Sequence, residues 1–356
     1  MRYLLLCLTF ILTASIPAAA AHGEGGVDVK EIVLGHMADA YEWHITTIGG
    51  KHIGFPLPVI VRSEETGKWH LFSSSRIEEA AEEGHDYLGF YFNEQKNGKI
   101  YERLADGTSV RPWDISITKS VLQIWIVVII MLIVFFSCAR WYKKHDATKD
   151  VPKGFVGMME MLVMSIHDDL IKDSIGEKHY RPYAPYLLTV FFFILISNLL
   201  GLLSVFPGGA NVTGNINVTC FLALCTMLAI NLFGNKEYWK EIFWPDVPAF
   251  LKAYPVAIMP LIEVFGILTK PFALMVRLFA NMMAGHAIIL SFTAIIFIGW
   301  SLNAFLGSGL TLLSFVMMLF MNCLEFLVAF IQAYVFTMLS AVFIGLAHPE
   351  HEGHHA

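Results

Sequence analysis

The stretch at residues 270–291, KPFALMVRLFANMMAGHAIILS, places Arg277 inside a long apolar run that extends over residues 259–300. An arginine in hydrocarbon costs at least ~2.5 kcal/mol on insertion scales, so charges inside a membrane usually mark an ion pathway. Because a guanidinium has a pKa above ~12, Arg277 stays charged at neutral pH and cannot carry protons itself. The stretch therefore predicts a membrane protein in which a fixed positive charge interacts with an anion.

Arg277 could instead lie in a short loop between two ordinary spans, as an orientation signal. This alternative requires residues 257–269 to cross the bilayer. A helix of that length rises only about 20 Å, whereas the hydrocarbon core is about 30 Å thick. Residues 272–276 also continue the apolar run into the arginine. We therefore place Arg277 inside the membrane.

The composition limits the class of protein. The chain has 356 residues, 56% of them hydrophobic, and its mean hydropathy of +0.59 is too high for a soluble globular protein. The sequence contains no Lys/Arg-rich face of the kind that binds nucleic acid. The five cysteines lie in the leader or in and beside apolar segments, which argues against a disulfide framework or a metal cluster. No cofactor is predicted.

The N-terminal third has the character of an exported domain. Residues 1–20 combine one early arginine, an apolar centre and a small-residue end, which predicts a signal peptide, with a retained anchor as the alternative. Residues 21–113 are polar and acidic, and we interpret them as a small β-rich domain outside the membrane. Its histidines are scattered without metal-ligand spacing. Strands are predicted at residues 52–61, 69–73, 87–92 and 99–104, a hairpin turn at Asn97-Gly98, and a helical turn at residues 77–84.

Apolar segments and basic residues predict the membrane topology. Residues 120–138 form the first span, and the lysines and arginine that follow it mark its end as cytoplasmic. Residues 154–172 resemble an amphipathic surface helix. Two further spans are expected at residues 184–206 and 217–234.

Two apolar segments of about 40 residues remain, 259–300 and 304–347, although a perpendicular span needs about 20 residues. Each is either two spans or one long tilted helix. Neither contains a charged turn, so we predict two long helices. The expected fold is an all-α polytopic membrane protein with five passages, the N-terminal domain outside, the membrane domain at residues 114–347, and a His-rich cytoplasmic tail at 348–356.

Polar residues on the fourth passage share one helical face. Arg277, Asn281, Ala284 and Ile288 recur at helical spacing, and their small and polar side chains would allow a partner helix to approach closely. His286 lies about 180° around the helix from Arg277 and faces elsewhere.

The fifth passage carries a second stripe, formed by Asn322, Glu325, Ala329 and Gln332. If the two helices are antiparallel, Arg277 and Gln332 lie near mid-depth. His286 and Glu325 then both lie closer to the outside, where an imidazole and a carboxylate can exchange protons with water. Two alternatives remain open: Glu325 pairs with Arg277, or His286 is only a packing residue. Glu263 could be interfacial and paired with Lys270.

These stretches resemble ATP synthase subunit a, the static membrane subunit beside a rotating c-ring. The resemblance rests on four segments in order and covers about residues 114–347. They are VPKGFVGMMEMLV at 151–163, NINVT at 215–219, RLFANMMAGH at 277–286 and LEFLVAFIQAYVFTMLS at 324–340.

The resemblance implies roles for five residues. Arg277 matches the family's essential arginine, which faces the c-ring carboxylate, and Asn281 and Gln332 match its polar neighbours. His286 and Glu325 match the outward-facing half-channel, where many bacterial relatives carry the two in the opposite order.

The chain also has a glycine at position 201, where many bacterial members have an aspartate. Asp146 is one candidate to compensate for the missing carboxylate. The implied partners are the c-ring, subunit b, the F1 sector indirectly and the lipid bilayer. The implied location is the bacterial plasma membrane, and the implied role is a non-catalytic proton channel.

Three other functions would each account for part of the sequence. A secondary transporter would bind an anionic substrate at Arg277, but it predicts internal repeats with paired broken helices, and we find no convincing repeat. A metalloprotease is suggested by the H-E-x-x-H pattern at residues 351–355, which here follows Pro349 and contains a glycine. A purely structural assembly subunit would not need an arginine in the membrane.

Overall fold

The computed structural model describes residues 39–48, 51–93, 98–146, 150–203, 208–243 and 258–348. The predicted signal peptide and the H-E-x-x-H pattern lie outside the described residues. The described chain divides into two compact units. The first contains the β-rich domain, the start of the first membrane helix, and residues 199–212 and 283–326. The second contains residues 127–198 and 213–282 and the chain from residue 327.

The N-terminal domain is built from short antiparallel strands and one helix, as the alternating sequence predicts. The strands are β1 (Glu42–Ile48), β2 (Lys51–Pro56), β3 (Pro58–Arg62), β4 (Trp69–Ser73), β5 (Phe90–Asn93), β6 (Lys99–Arg103), β7 (Ser109–Val110) and β8 (Trp113–Asp114), and α1 is Ser75–Glu82. They pair as a β1–β2 hairpin and two sheets of order β4-β3-β8 and β5-β6-β7.

The domain core comes from the alternate residues of β3 and β4 together with α1. Val59, Val61 and Phe72 turn inward and meet Ile77 of α1 and Phe90 of β5. Tyr41 joins this core and donates a hydrogen bond to Asp114. Burial and the Asp114 carboxylate raise the pKa of Tyr41, so the phenol stays protonated.

The chain leaves this domain through a short, hydrogen-bonded connection. The amide of Ile117 donates to the Pro58 carbonyl at 3.2 Å, which extends the β8–β3 pairing toward the membrane helix. The helix itself begins at Lys119. The Asp39 carboxylate accepts a hydrogen bond from the Ser120 amide at 3.0 Å, and so caps the helix from a distant part of the chain.

The remaining described chain is helical, and five helices are long and apolar enough to cross a membrane. The helices are α2 (Lys119–Lys144), α3 (Phe155–Met164), a π-helical segment (Ser165–Lys172), α4 (Asp173–Ile175), α5 (Tyr180–Gly201), α6 (Ile216–Phe233), α7 (Lys236–Phe243), α8 (Ile258–Leu302) and α9 (Ala304–Leu346).

The two long apolar segments are single helices. α8 has 45 residues and continues through Pro271, and α9 has 43 residues. At 1.5 Å per residue each is about 65 Å long, twice the thickness of the hydrocarbon core. The prediction of five passages with two long final helices is therefore confirmed.

α8 and α9 form an antiparallel hairpin where they join. The Trp300 indole donates to the Thr311 hydroxyl at 3.0 Å, and Gly299 lies so close to Leu310 that a Cβ would be 2.8 Å from its Cδ1. Thr293 and Met318 meet further along the same pair of helices.

Strands β1, β7 and β8 have no counterpart among the predicted strands, and the strand predicted at residues 52–61 is divided into β2 and β3. In the helical part, a π-helical segment and a short helix were also not predicted. The amphipathic segment changes from α to π geometry at Ser165–Lys172, which puts Ile166 on the same buried side as Leu170 and Ile171. A wider turn suits this spacing of four and five residues. The short helix α7 was also missed, because its charged sequence resembles a connecting loop.

Candidate functional site

In the first compact unit, His286 of α8 and Glu325 of α9 are in direct contact. The imidazole Nδ1 and the carboxylate Oε1 share a hydrogen bond. Either Nδ1–H donates to the carboxylate or the carboxyl O–H donates to the nitrogen, according to which group holds the proton. Glu325 is only 3% exposed. The prediction that these two residues lie at a similar depth agrees with this contact.

Two glycines surround the pair. A Cβ on Gly285 would be 2.9 Å from Glu325 Oε1, closer than such atoms normally approach, so only glycine lets the carboxylate take this position. A Cβ on Gly201 would be 3.7 Å from His286 Nε2, in ordinary contact. The imidazole therefore has the carboxylate on one side and the end of α5 on the other.

Each member of the pair keeps one unused polar atom. Glu325 Oε2 is buried without a hydrogen-bond partner among the described residues, and no described residue hydrogen-bonds His286 Nε2. A neutral imidazole that accepts a proton at Nε2 can release one from Nδ1 to the carboxylate. The geometry is thus suited to passing protons between a water at Nε2 and Glu325.

In the second compact unit, Arg277 lies on the exposed side of α8. Asn281 is exposed as well, and so are Ala284 and Ile288 in the part of α8 that belongs to the first unit. The positions that flank this face on one side, Leu274, Leu278 and Met282, are buried. All four positions predicted to share a helical face are therefore exposed.

Arg277 has no hydrogen bond or ion pair with any residue that the structure describes. Lys270, one of the cations on the same helix, lies 5.8 Å from the centre of the Phe343 ring. The suggested pairing of Glu263 with Lys270 is absent from the described side chains. A guanidinium in a membrane helix needs an anion or water as a partner, and none of the described side chains supplies one to Arg277.

The stripe on α9 is mostly buried. Ala329 is fully buried and Gln332 is 7% exposed, and Gln332 has no hydrogen-bond partner among the described residues. Asn322 bonds the Met318 carbonyl of its own helix at 2.9 Å, so its amide is already used locally.

A buried amide of α5, which was not predicted as a functional residue, holds this part of α9 in place. Asn198 is fully buried and donates to the Ala329 carbonyl at 3.1 Å. The Thr213 hydroxyl donates to Asn198 Oδ1 at 2.6 Å. The sequence signal for this contact is an asparagine inside an otherwise apolar span. No group of three or more potential metal ligands occurs among the described residues.

Comparison with known proteins gives two family matches. The family described as ATP synthase A chain matches residues 121–345, and a family described only as a domain of unknown function matches residues 32–119. The two matches meet at the start of α2, where the structure passes from the β-rich domain to the membrane helices.

Individual relatives agree with the first match. The chain is 47% identical to ATP synthase subunit a of Chlorobium phaeobacteroides over 251 residues, 68% of this chain and 69% of the relative. It is 42% identical to the subunit a of Chloroherpeton thalassium over 242 residues, 68% and 69% of the two chains. For Myxococcus xanthus the identity is 38% over 265 residues, 73% and 82% of the two chains.

Proposed function

The chain belongs to the ATP synthase A chain family, and we propose that it provides the proton path beside the c-ring, with Arg277 facing the c-ring carboxylate. As a member of this family it is a membrane subunit of the Fo sector of an ATP synthase. The proposal adds two half-channels that do not connect directly, so protons cross only by way of the moving c-ring.

The observation that carries the proposal is that Arg277 lies on an exposed helical face and has no side-chain partner among the described residues. The face contains Asn281 and Ala284, an amide and a small side chain. Small residues allow the backbone of another helix to come close. A partner that brings a carboxylate to this face would satisfy the guanidinium, and a c-ring helix is such a partner.

The charge of Arg277 can release the proton carried by that carboxylate. Two unit charges 4 Å apart interact with about 4 kcal/mol at an effective dielectric constant of 20. One pKa unit corresponds to 1.36 kcal/mol, so this is about three pKa units in favour of the ionised carboxylate. The same fixed charge repels protons and thereby separates the two half-channels.

His286 and Glu325 serve the outward-facing half-channel in this proposal. Their shared hydrogen bond and the unused Nε2 and Oε2 atoms support a relay in which protons reach the c-ring carboxylate through the pair. Asn281 and Gln332 provide polar contacts next to Arg277. The order His then Glu keeps one imidazole and one carboxylate, so the relay chemistry is preserved.

The remaining partners and the orientation follow from the family and from the basic residues. We infer contacts with subunit b and, indirectly, with F1. We also infer a bacterial plasma-membrane location, with the β-rich domain outside and the C-terminus in the cytoplasm. Lys143 and Lys144 at the end of α2 support this orientation. The chain itself carries no catalytic site in this proposal; ATP chemistry belongs to F1.

Cysteine cross-linking tests which face meets the c-ring. Asn281→Cys should form disulfides with cysteines introduced into the outer helix of subunit c. Phe272→Cys is the matched control, because residue 272 is exposed on the same helix but points about 180° away from residue 281. Cross-linking from residue 272 but not from 281 would contradict the proposed interface.

A further inference from the structure

The outer face of the β4-β3-β8 sheet is apolar, although it does not form part of the domain core. The strand registers place nine residues on this face in three rows. The rows are Trp113, Arg62 and Trp69; then Ile115, Ile60 and Leu71; then Ile117, Pro58 and Ser73.

No described residue covers this face. Leu71 is 73% exposed, Trp113 is 67% exposed and Ile115 is 62% exposed. The other face of the same sheet already supplies Val59, Val61 and Phe72 to the core. An antiparallel sheet with one packed face normally presents polar residues on the other face. A contiguous apolar patch on a folded domain therefore marks a contact surface.

These nine residues, the array, are close in sequence to the first membrane helix. Its last row includes Ile117, and the membrane helix begins two residues later at Lys119, a distance of at most about 7 Å. α2 has 26 residues, or about 39 Å, which exceeds a hydrocarbon core of about 30 Å. The ends of the helix therefore lie at the level of the lipid headgroups. The Asp39–Ser120 bond ties the domain to this end of the helix.

The side chains of the array suit the boundary between lipid and water. Tryptophan is enriched at this boundary because its ring is apolar and its N–H is polar. Arg62, the single charged residue of the nine, lies between Trp69 and Trp113 in the strand register. Its Nε donates to the Gly67 carbonyl at 3.1 Å, and its other N–H groups have no partner among the described residues. A guanidinium whose N–H groups are available for hydrogen bonds binds phosphate well.

We propose that this outer sheet face, presented by Trp69, Leu71, Trp113 and Ile115, rests on the lipid surface next to α2, with Arg62 binding lipid phosphate. The inference goes beyond the proposed proton path, because it assigns a contact to the domain of unknown function. The continuity of the array with the apolar helix α2 favours lipid over a protein partner. Trp125, Ile129 and Leu132 of α2 are exposed in the same manner.

Spin labelling of the assembled complex in lipid vesicles tests this contact. A nitroxide is attached at Leu71→Cys in a background in which the natural cysteines are replaced by serine. Collision rates are then measured with oxygen, which concentrates in hydrocarbon, and with a water-soluble nickel chelate. Glu82→Cys on α1 is the control, because residue 82 is exposed and lies outside the array.

The oxygen-to-nickel collision ratio should be several-fold higher at residue 71 than at residue 82. Weak collisions with both reagents would mean that protein, either another subunit or a segment of this chain, covers the face. Strong collisions with both would mean that the face is open to water. Either result overturns the proposal. If the Leu71→Cys protein does not assemble, Ile115→Cys in the same row provides the same comparison.

Discussion

Gly285 of α8 lies against the carboxylate of Glu325 of α9, so closely that a Cβ on residue 285 would be 2.9 Å from Oε1 and 3.1 Å from Cδ. The hydrogen bond between Glu325 and His286 depends on this approach. The position of the carboxylate is therefore controlled by a residue that has no side chain of its own.

Replacing Gly285 with alanine should displace Glu325 from His286. We expect ATP-driven proton pumping to fall several-fold while the complex still assembles. Pumping is measured as acidification of inverted membrane vesicles. Gly309→Ala is the matched control, because a Cβ at residue 309 of α9 would meet nothing within 4 Å. Equal pumping by the two variants would show that the carboxylate position is unimportant.

Exchanging the two members of the pair should preserve the relay better than removing one. Glu325→Gln alone should slow pumping by about 10²-fold, in the range that positioned proton-transfer groups contribute. The double variant His286→Glu with Glu325→His should recover a substantial part of that loss, because one imidazole and one carboxylate are again in contact. A double variant as inactive as Glu325→Gln would show that the order of the two residues matters in itself.

Loss of the Asn198 amide should weaken the attachment of α5 to α9. Asn198→Ala leaves the Ala329 carbonyl and the Thr213 hydroxyl without this partner, which costs about 1–3 kcal/mol for a buried group. We expect less assembled complex and a lower thermal transition of the purified complex. Asn322→Ala is the control, because its amide bonds only its own helix. A larger effect at residue 322 than at 198 would contradict this account.

The stability of the β-rich domain should fall as pH rises from about 4.5 to about 7. Burial, with the nearby Glu42 carboxylate, raises the pKa of Glu78 to about 7, whereas an unfolded glutamate titrates near 4.3. The folded domain therefore favours the protonated form, and that advantage disappears above pH 7. Because Glu78 is half-buried, we expect a loss of about 1 kcal/mol after allowance for solvent screening.

Hydrogen exchange in β3, β4 and α1 of the full-length protein, corrected for intrinsic rates, measures this pH dependence. Glu78→Gln should flatten it, whereas Glu65→Gln in an exposed turn should leave it as it is. An unchanged pH dependence in Glu78→Gln would assign the effect to another group.

Much of the fold could be predicted because the sequence signals were local. The alternation at residues 69–73 predicted strand β4 with the bounds that the structure has. The lack of a charged turn in residues 259–300 predicted a single long helix, and α8 confirms it. The helical spacing of Arg277 and Asn281 placed both on one side of the helix, and both are exposed.

Other features depend on contacts that are distant in sequence. The pairing of β8 with β3 joins Trp113 to Arg62, and neither strand indicates its partner. The bond from Asn198 ends on a backbone carbonyl, which every residue possesses and which therefore leaves no sequence pattern. The sequence likewise does not indicate that Gly285 of α8 lies against the Glu325 carboxylate of α9. The tail was predicted to begin at His348, but that residue is buried and bonded to Tyr183.

ATP-driven proton pumping by Arg277→Ala tests the proposed proton path most directly. It is compared in inverted vesicles with the unmodified protein and with Lys270→Ala, which removes a cation of the same helix that lies over Phe343. With assembly verified for all three, we predict that pumping disappears in Arg277→Ala and persists in Lys270→Ala. Normal pumping by an assembled Arg277→Ala complex would contradict the account, since the guanidinium would then not be part of the proton path.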